Sequence, residues 1–209
     1  MAKSKGLLFR IFLFGICVGI ACASIGRYSN KIAQNFVKAA PVGNKIPFHD
    51  SVRLAVQRTY RGEKDVRELT GKNDGKRIDE YLKAANLKPG LPYCAAGVTW
   101  VFKQHGIKTV VSGWSPAWFP DSITIYYKNK FTRAEPTVAD VFGIYVQRKK
   151  RIGHVGFIDE KWENGTAYIN TFEFNTSGKG SDDGEGNYHL RRLKSQIYKV
   201  SSPISKLKE

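Results

Sequence analysis

The stretch Leu91-Pro-Tyr-Cys-Ala-Ala-Gly-Val-Thr-Trp-Val-Phe102 decides the fold of this chain. Its apolar residues recur at helical spacing, and Gly106 follows at the position where a glycine commonly ends a helix. The pattern therefore predicts a helix that begins near Cys94. A thiol at such a helix start lies beside unpaired backbone N–H groups and the positive end of the helix dipole, and both stabilise a thiolate.

Two further amphipathic helices are predicted ahead of this one. The first has Asp50 or Ser51 as its N-cap and runs to about Tyr60. Asp74 is the candidate N-cap of the second, which ends at Asn86. Three helices therefore occupy the N-terminal half of the predicted domain.

Beyond Val138 the sequence becomes β-rich and alternates with period two. The predicted strands are Val141–Gln147, Gly153–Asp159, Thr166–Phe174 and Gln196–Ser201. Residues 176–187 contain four glycines and predict a loop. Helices followed by antiparallel strands indicate an α+β domain over residues 47–209, with the helices packed on one face of the sheet.

The N-terminal residues differ from the rest in charge. Residues 1–46 carry seven basic residues and no acid, and the uncharged run 11–25 is shorter than the roughly 20 residues that cross a bilayer. The triplet Ala21-Cys-Ala23 has the form of a signal-peptide cleavage site. We expect residues 1–23 to be a signal peptide or membrane anchor and 24–46 a basic linker. A lipoprotein acylated on Cys22 and an uncleaved anchor are the open alternatives.

Composition limits the function further. The 209 residues are 42% hydrophobic, enough for one core, and carry a net charge of +16, which favours an anionic partner. A nucleic acid is not the expected partner, because the chain has an export signal and its Lys/Arg runs lie beside turns, where they are usually solvated. We expect export to the periplasm or cell envelope, with membrane contact only through the N-terminal segment.

A histidine and two polar residues complete a candidate catalytic set with Cys94. His154 is the only histidine placed inside a predicted strand, and Gly156 on the same face is expected to leave room for a reacting group. In the next strand, Glu173 and Asn175 share one face. If the two strands are neighbours, either side chain can accept the second N–H of His154 and fix its tautomer.

Three blocks of the chain resemble the signature blocks of CHAP domains, the cysteine, histidine-dependent amidohydrolases/peptidases related to NlpC-type, papain-like peptidases. They are Leu91–Phe102, Arg151-Ile-Gly-His-Val-Gly-Phe-Ile158 and Thr171-Phe-Glu-Phe-Asn-Thr176. The resemblance covers about residues 47–202 and implies a papain-like fold, a peptidoglycan substrate and cleavage of an amide bond. It also implies that Cys94 is the nucleophile, His154 the base, and Glu173 and Asn175 their polar partners.

The chain departs from the family pattern at two positions. Ala139 replaces the glycine that usually precedes an aspartate, here Asp140, in the turn before a central strand. Gly97 stands where many members carry phenylalanine, which is expected to loosen the helix packing or widen the cleft. Neither departure touches the catalytic set.

The remaining expectations concern ligands and partners. Trp114 and Trp118 either pack over the helices or line a substrate groove, and Asp74 is a further candidate for substrate binding if it is not a cap. No metal or cofactor is expected, because the acidic cluster at Asp182 lacks the spacing of a calcium loop. The expected partner is peptidoglycan, with an inhibitor or immunity protein as a further candidate. The alternative function is a non-catalytic peptidoglycan-binding or scaffold protein of the envelope.

Overall fold

The computed structural model describes residues 46–208, and within them the chain is α+β, as predicted. The helices are α1 (Phe48–Gly62), α2 (Lys76–Ala84) and α3 (Cys94–Gln104). Helix α3 begins at Cys94, and Gly106 follows it with a φ of 62°, so both predictions for this helix are confirmed. The signal or anchor predicted for residues 1–23 and nearly all of the predicted linker lie outside the described residues.

The predicted caps of the first two helices are wrong. Helix α1 starts at Phe48 with Pro47 as its N-cap, slightly before the expected Asp50 or Ser51. Helix α2 is preceded by Gly75, whose φ of 124° suits glycine. The Asp74 carboxylate instead accepts hydrogen bonds from the N–H and hydroxyl of Thr70, closing a turn ahead of the helix.

The strands of the described chain form one seven-stranded sheet in which every pairing is antiparallel. The strand order is β2-β1-β7-β3-β4-β5-β6. The strands are β1 (Thr124–Tyr127), β2 (Phe131–Thr132), β3 (Val141–Val146), β4 (Arg151–Ile158), β5 (Tyr168–Thr176), β6 (Gly186–Leu193) and β7 (Lys199–Ser201). Strands β1, β2 and β6 were not predicted, and the glycine-rich loop is shorter than expected because β5 and β6 extend into it.

The helices pack on one face of this sheet. Tyr60 of α1 stacks on Phe157 of β4 and contacts Phe172 of β5. Ile158, the neighbour of Phe157, belongs to a second, smaller apolar cluster, because successive strand residues point to opposite faces. Both faces of the central strands are therefore buried.

Gly97 allows helix α3 to pack closely on Phe174 of β5. A Cβ at this position would lie 2.3 Å from Cγ of Phe174, so the phenylalanine ring fills the space a side chain would occupy. The expectation that Gly97 loosens the packing is wrong. The glycine instead lets α3 and its first residue, Cys94, sit directly against the sheet.

In the described part of the chain, no helix combines the length and apolar character needed to cross a membrane.

Candidate active site

Cys94 is the first residue of α3, which packs on the interior strands β4 and β5 of the sheet. Its side chain is 5% exposed, and its Sγ lies 3.4 Å from Oγ of Ser115. The first N–H groups of a helix have no partner within the helix, so they and the helix dipole favour negative charge at this position. The predicted position of this thiol at the start of a helix is thus confirmed.

Asn175 anchors the start of this helix. Its Oδ1 accepts the N–H of Tyr93 at 2.9 Å, and its Nδ2 donates to Asn73, Asp183 and the carbonyl oxygen of Gly184. Its φ of 54° turns the backbone out of the regular strand, at the register shift between Glu173 and Thr176. Of the two residues predicted as possible partners of His154, Asn175 is therefore the one that holds the cysteine helix.

Glu173 is the partner of His154. Nε2 of His154 lies 2.8 Å from Oε2 of Glu173, and both side chains are at most 1% exposed. The register pairs Gly156 of β4 with Glu173 of β5, which brings the carboxylate diagonally beside the imidazole. The expectation that Gly156 leaves room for a reacting group is wrong: a Cβ there would meet Glu173 and Phe142 at 3.0 Å or less.

The other ring nitrogen of His154 is available for chemistry. Nδ1 is buried and has no hydrogen-bond partner of standard geometry among residues 46–208. If the proton on Nε2 is donated to Glu173, Nδ1 of the neutral ring is an acceptor. The charge of Cys94, together with that of Glu173, raises the pKa of this ring.

Arg192 of β6 is a member of the site that the sequence interpretation missed. Its Nε donates to Oε1 of Glu173 at 2.8 Å, Nη2 donates to Oε2, and Nη1 donates to the carbonyl oxygen of Gly180 at 2.9 Å. Thr171 also donates to Oε1, at 2.7 Å. The Lys/Arg runs that the sequence predicts to be solvated include Arg191-Arg192, because β6 is not among the predicted strands. Side chains alternate between the two faces of a strand, so a predicted strand here would have indicated that only one of the two arginines is solvated.

The charges of these groups depend on one another. Burial raises the pKa of the Cys94 thiol, but the interactions with His154, with the hydroxyl of Ser115 and with the backbone of Val155 together outweigh burial and hold this pKa below its ordinary value. Burial lowers the pKa of His154, whereas Cys94 and Glu173 raise it to about 9. Burial opposes ionisation of Glu173, yet Arg192 and His154 lower its pKa to about 2. These shifts favour the thiolate of Cys94, the imidazolium of His154 and the carboxylate of Glu173.

A cleft of about 290 Å³ opens beside Cys94. Trp114 lines it, is 53% exposed, and has the guanidinium of Arg151 3.9 Å above its ring. Leu87 and Leu91 supply an apolar wall, so the cleft combines apolar surface with positive charge.

The other two predicted binding residues lie elsewhere. Trp118 is fully buried and stacks on Phe102, so it takes the packing alternative and its ring faces are covered. Asp74 closes the turn with Thr70 and does not line the cleft beside Cys94 within the described chain.

A larger cavity of about 690 Å³ lies along the site and is lined by His154, Arg192 and Asp182. Asp182 also lines the cleft and is ion-paired with Arg148 and Lys149. Within residues 46–208, no three His, Cys, Asp or Glu side chains are grouped so that they could hold a metal ion.

No protein-family model, curated protein or solved structure matches the chain.

Proposed function

We propose that this protein is a cysteine hydrolase that cleaves an amide bond of peptidoglycan. One observation carries the proposal: Cys94 at a helix start and the buried pair His154–Glu173 come together from three separate elements, with charges that favour a thiolate. A cysteine, a histidine and a third polar group that orients the histidine are the groups that thiol-dependent acyl transfer uses, and Glu173 supplies the third.

The chemistry follows from these groups. The Cys94 thiolate attacks the carbonyl carbon, and backbone N–H groups at the start of α3 stabilise the oxyanion that forms. The His154 imidazolium gives its proton to the leaving amine as the carbon–nitrogen bond breaks. Neutral His154 then takes a proton from water, whose oxygen attacks the thioester; the carbon–sulfur bond breaks, the carboxylic acid leaves, and the Cys94 thiolate and His154 imidazolium are restored. Glu173 holds the ring in one tautomer throughout.

The fold supports the same proposal. A cysteine at the start of a helix that packs on an antiparallel sheet, with a histidine on that sheet, is the arrangement a papain-like hydrolase requires. The three blocks that resemble CHAP domains hold these residues. We therefore propose a papain-like, CHAP-type domain over residues 47–209.

The substrate class rests on the resemblance and on charge. The chain carries +16, and Arg151 and Lys149 line the cleft beside Cys94, so an anionic polymer is the expected ligand. The exposed ring of Trp114 offers a surface on which a sugar can stack. Export through residues 1–23 would place the enzyme at the cell envelope, where peptidoglycan is found.

Digestion of purified peptidoglycan tests the proposal. The full-length protein should release soluble fragments, and mass spectrometry of their new termini separates an N-acetylmuramoyl-L-alanine amidase from an endopeptidase. Cys94→Ala should abolish release, whereas Ser201→Ala, which alters a buried hydroxyl lying outside the cleft, should retain it. Binding of peptidoglycan with no release by the wild-type protein would contradict hydrolysis and favour a binding or scaffold protein.

A further inference from the structure

Glu173 lies between two cations. His154 approaches Oε2 from β4, and the guanidinium of Arg192 spans both carboxylate oxygens from β6. The Arg192 side chain is 9% exposed and that of Glu173 is 0% exposed, so water screens neither charge effectively. Orientation of His154 does not require a second cation, because the imidazole and the hydroxyl of Thr171 already form hydrogen bonds with the Glu173 carboxylate.

Charge balance explains the second cation. A reactive site holds three charged groups in a row: the Cys94 thiolate, the His154 imidazolium and the Glu173 carboxylate. These sum to one net negative charge in a buried environment, which disfavours the thiolate. A guanidinium at Arg192 brings the sum to zero.

We infer that Arg192 is a positioning residue that maintains the reactive thiolate of Cys94 through Glu173 and His154, by balancing the charge of the buried carboxylate. The inference rests on the proposed thiol chemistry and names a residue that acts at a distance from the reacting atoms. Other charged or titratable groups face the site. They are Asp182, paired with Arg148 and Lys149, Arg151 in the cleft, and Lys128, Tyr145 and Tyr198 in the larger cavity.

The contact of Arg192 with Gly180 shows how the guanidinium is held. A Cβ at Gly180 would lie 2.5 Å from Nη1, so the backbone of the glycine-rich loop packs directly on Arg192. The loop at Gly180 therefore packs on the charged group and holds it in place.

The test measures the pH dependence of Cys94 alkylation by iodoacetamide in the full-length protein. Mass spectrometry follows the peptide that contains Cys94 separately from those with Cys17 and Cys22. Arg192→Met should raise the alkylation midpoint by about one pH unit or more, because forming the thiolate then creates a net negative charge. Arg192→Lys, which keeps the charge, should stay near the wild-type midpoint.

The double variant Arg192→Met/Glu173→Gln separates charge balance from simple damage. It removes both charges, so its midpoint should return from the value of Arg192→Met toward that of the wild type. A midpoint as high as that of Arg192→Met, or higher, would overturn the inference. If Arg192→Met does not fold, a wild-type-like midpoint in Arg192→Lys and in the double variant supports the inference, and a raised midpoint in both overturns it.

Arg53 provides the matched control. It is another buried arginine, 9% exposed, and its guanidinium bonds to Asp140 and Ser202 outside the cleft. Arg53→Met should lower stability without moving the Cys94 midpoint. Because alkylation needs no peptidoglycan, the expected midpoints together with absent turnover would contradict the proposed substrate while leaving the role of Arg192 intact.

Discussion

The Asn175→Ala variant tests whether Asn175 anchors the start of the cysteine helix or takes part directly in the chemistry. The change leaves the buried N–H of Tyr93 without its acceptor, which costs about 1–3 kcal/mol. It also places a Cβ-bearing residue with no local hydrogen bond at a φ of 54°, which costs about 1–2 kcal/mol. Together these contributions predict a loss of about 3 kcal/mol in the free energy of unfolding.

Urea unfolding of the full-length protein measures this loss. Asn175→Gly is the matched variant, because glycine removes the same hydrogen bonds but adopts positive φ without strain. It should be more stable than Asn175→Ala by about 1 kcal/mol. In both variants the His154–Glu173 contact remains, so Cys94 should still be alkylated at neutral pH in the folded protein.

The opposite pattern would refute this reasoning. If Asn175→Ala unfolds within about 1 kcal/mol of the wild type while turnover falls by orders of magnitude, Asn175 acts on the reacting groups themselves. The assignment of Glu173 as the orienting partner of His154 would then need revision.

Packing, backbone strain and charge give four further predictions. Gly97→Ala should lose about 1–3 kcal/mol in the free energy of unfolding, measured in urea, because its Cβ would meet Phe174 at 2.3 Å. Gly62→Ala is the control, has open space around it and should be nearly neutral. Equal stability of the two variants would contradict the close packing. Ala139 has a φ of 65°, so the free energy of unfolding of Ala139→Gly should lie within about 1 kcal/mol of the wild-type value. Ala139→Val should lose more than about 2 kcal/mol. A stable valine variant would show that the turn relaxes. Turnover should rise with pH as Cys94 ionises, below the ordinary range for a thiol, and fall near pH 9 as His154 loses its proton. The stability that the depressed pKa of Glu173 contributes is complete above its ordinary value of 4.5 and is lost as pH falls toward about 2; acid unfolding unchanged by Glu173→Gln would contradict that contribution.

The placement of the candidate catalytic residues was predictable from the sequence because each residue lies in a strong local pattern. The helix at Cys94 has regular apolar spacing and a terminal glycine, and the strands at His154 and Glu173 alternate clearly. Strand neighbours cannot be read from alternation alone. The choice between Glu173 and Asn175 therefore stayed open until the register of β4 and β5 resolved it.

The missed elements share a physical cause. Strand β6 contains Arg191, Arg192 and His189 and lies beside a glycine-rich segment, so local composition favours loop over strand. Its pairing with β5 overrides that preference, because backbone hydrogen bonds between distant segments are invisible to local patterns. Arg192 was missed for the same reason.

The turn at Ala139 shows a different relation between pattern and structure. The resemblance led to an expected glycine there, and the backbone does adopt the left-handed conformation that glycine prefers, with a φ of 65°. The chain thus keeps the turn geometry although the residue differs. Asp140 contributes to the turn by accepting the N–H of Thr137 and is itself paired with Arg53.

The choice of a glutamate to orient His154 has a structural consequence. An amide could hold the tautomer of the ring, but a carboxylate also stabilises the imidazolium with a full negative charge, and a carboxylate that is 0% exposed requires further compensation. Thr171 supplies a neutral hydrogen bond and Arg192 supplies the charge. Arg192 reaches Glu173 from β6 and is covered by the loop before that strand. The reactivity of the thiol on α3 therefore depends on a strand and a loop whose local sequence does not predict a strand.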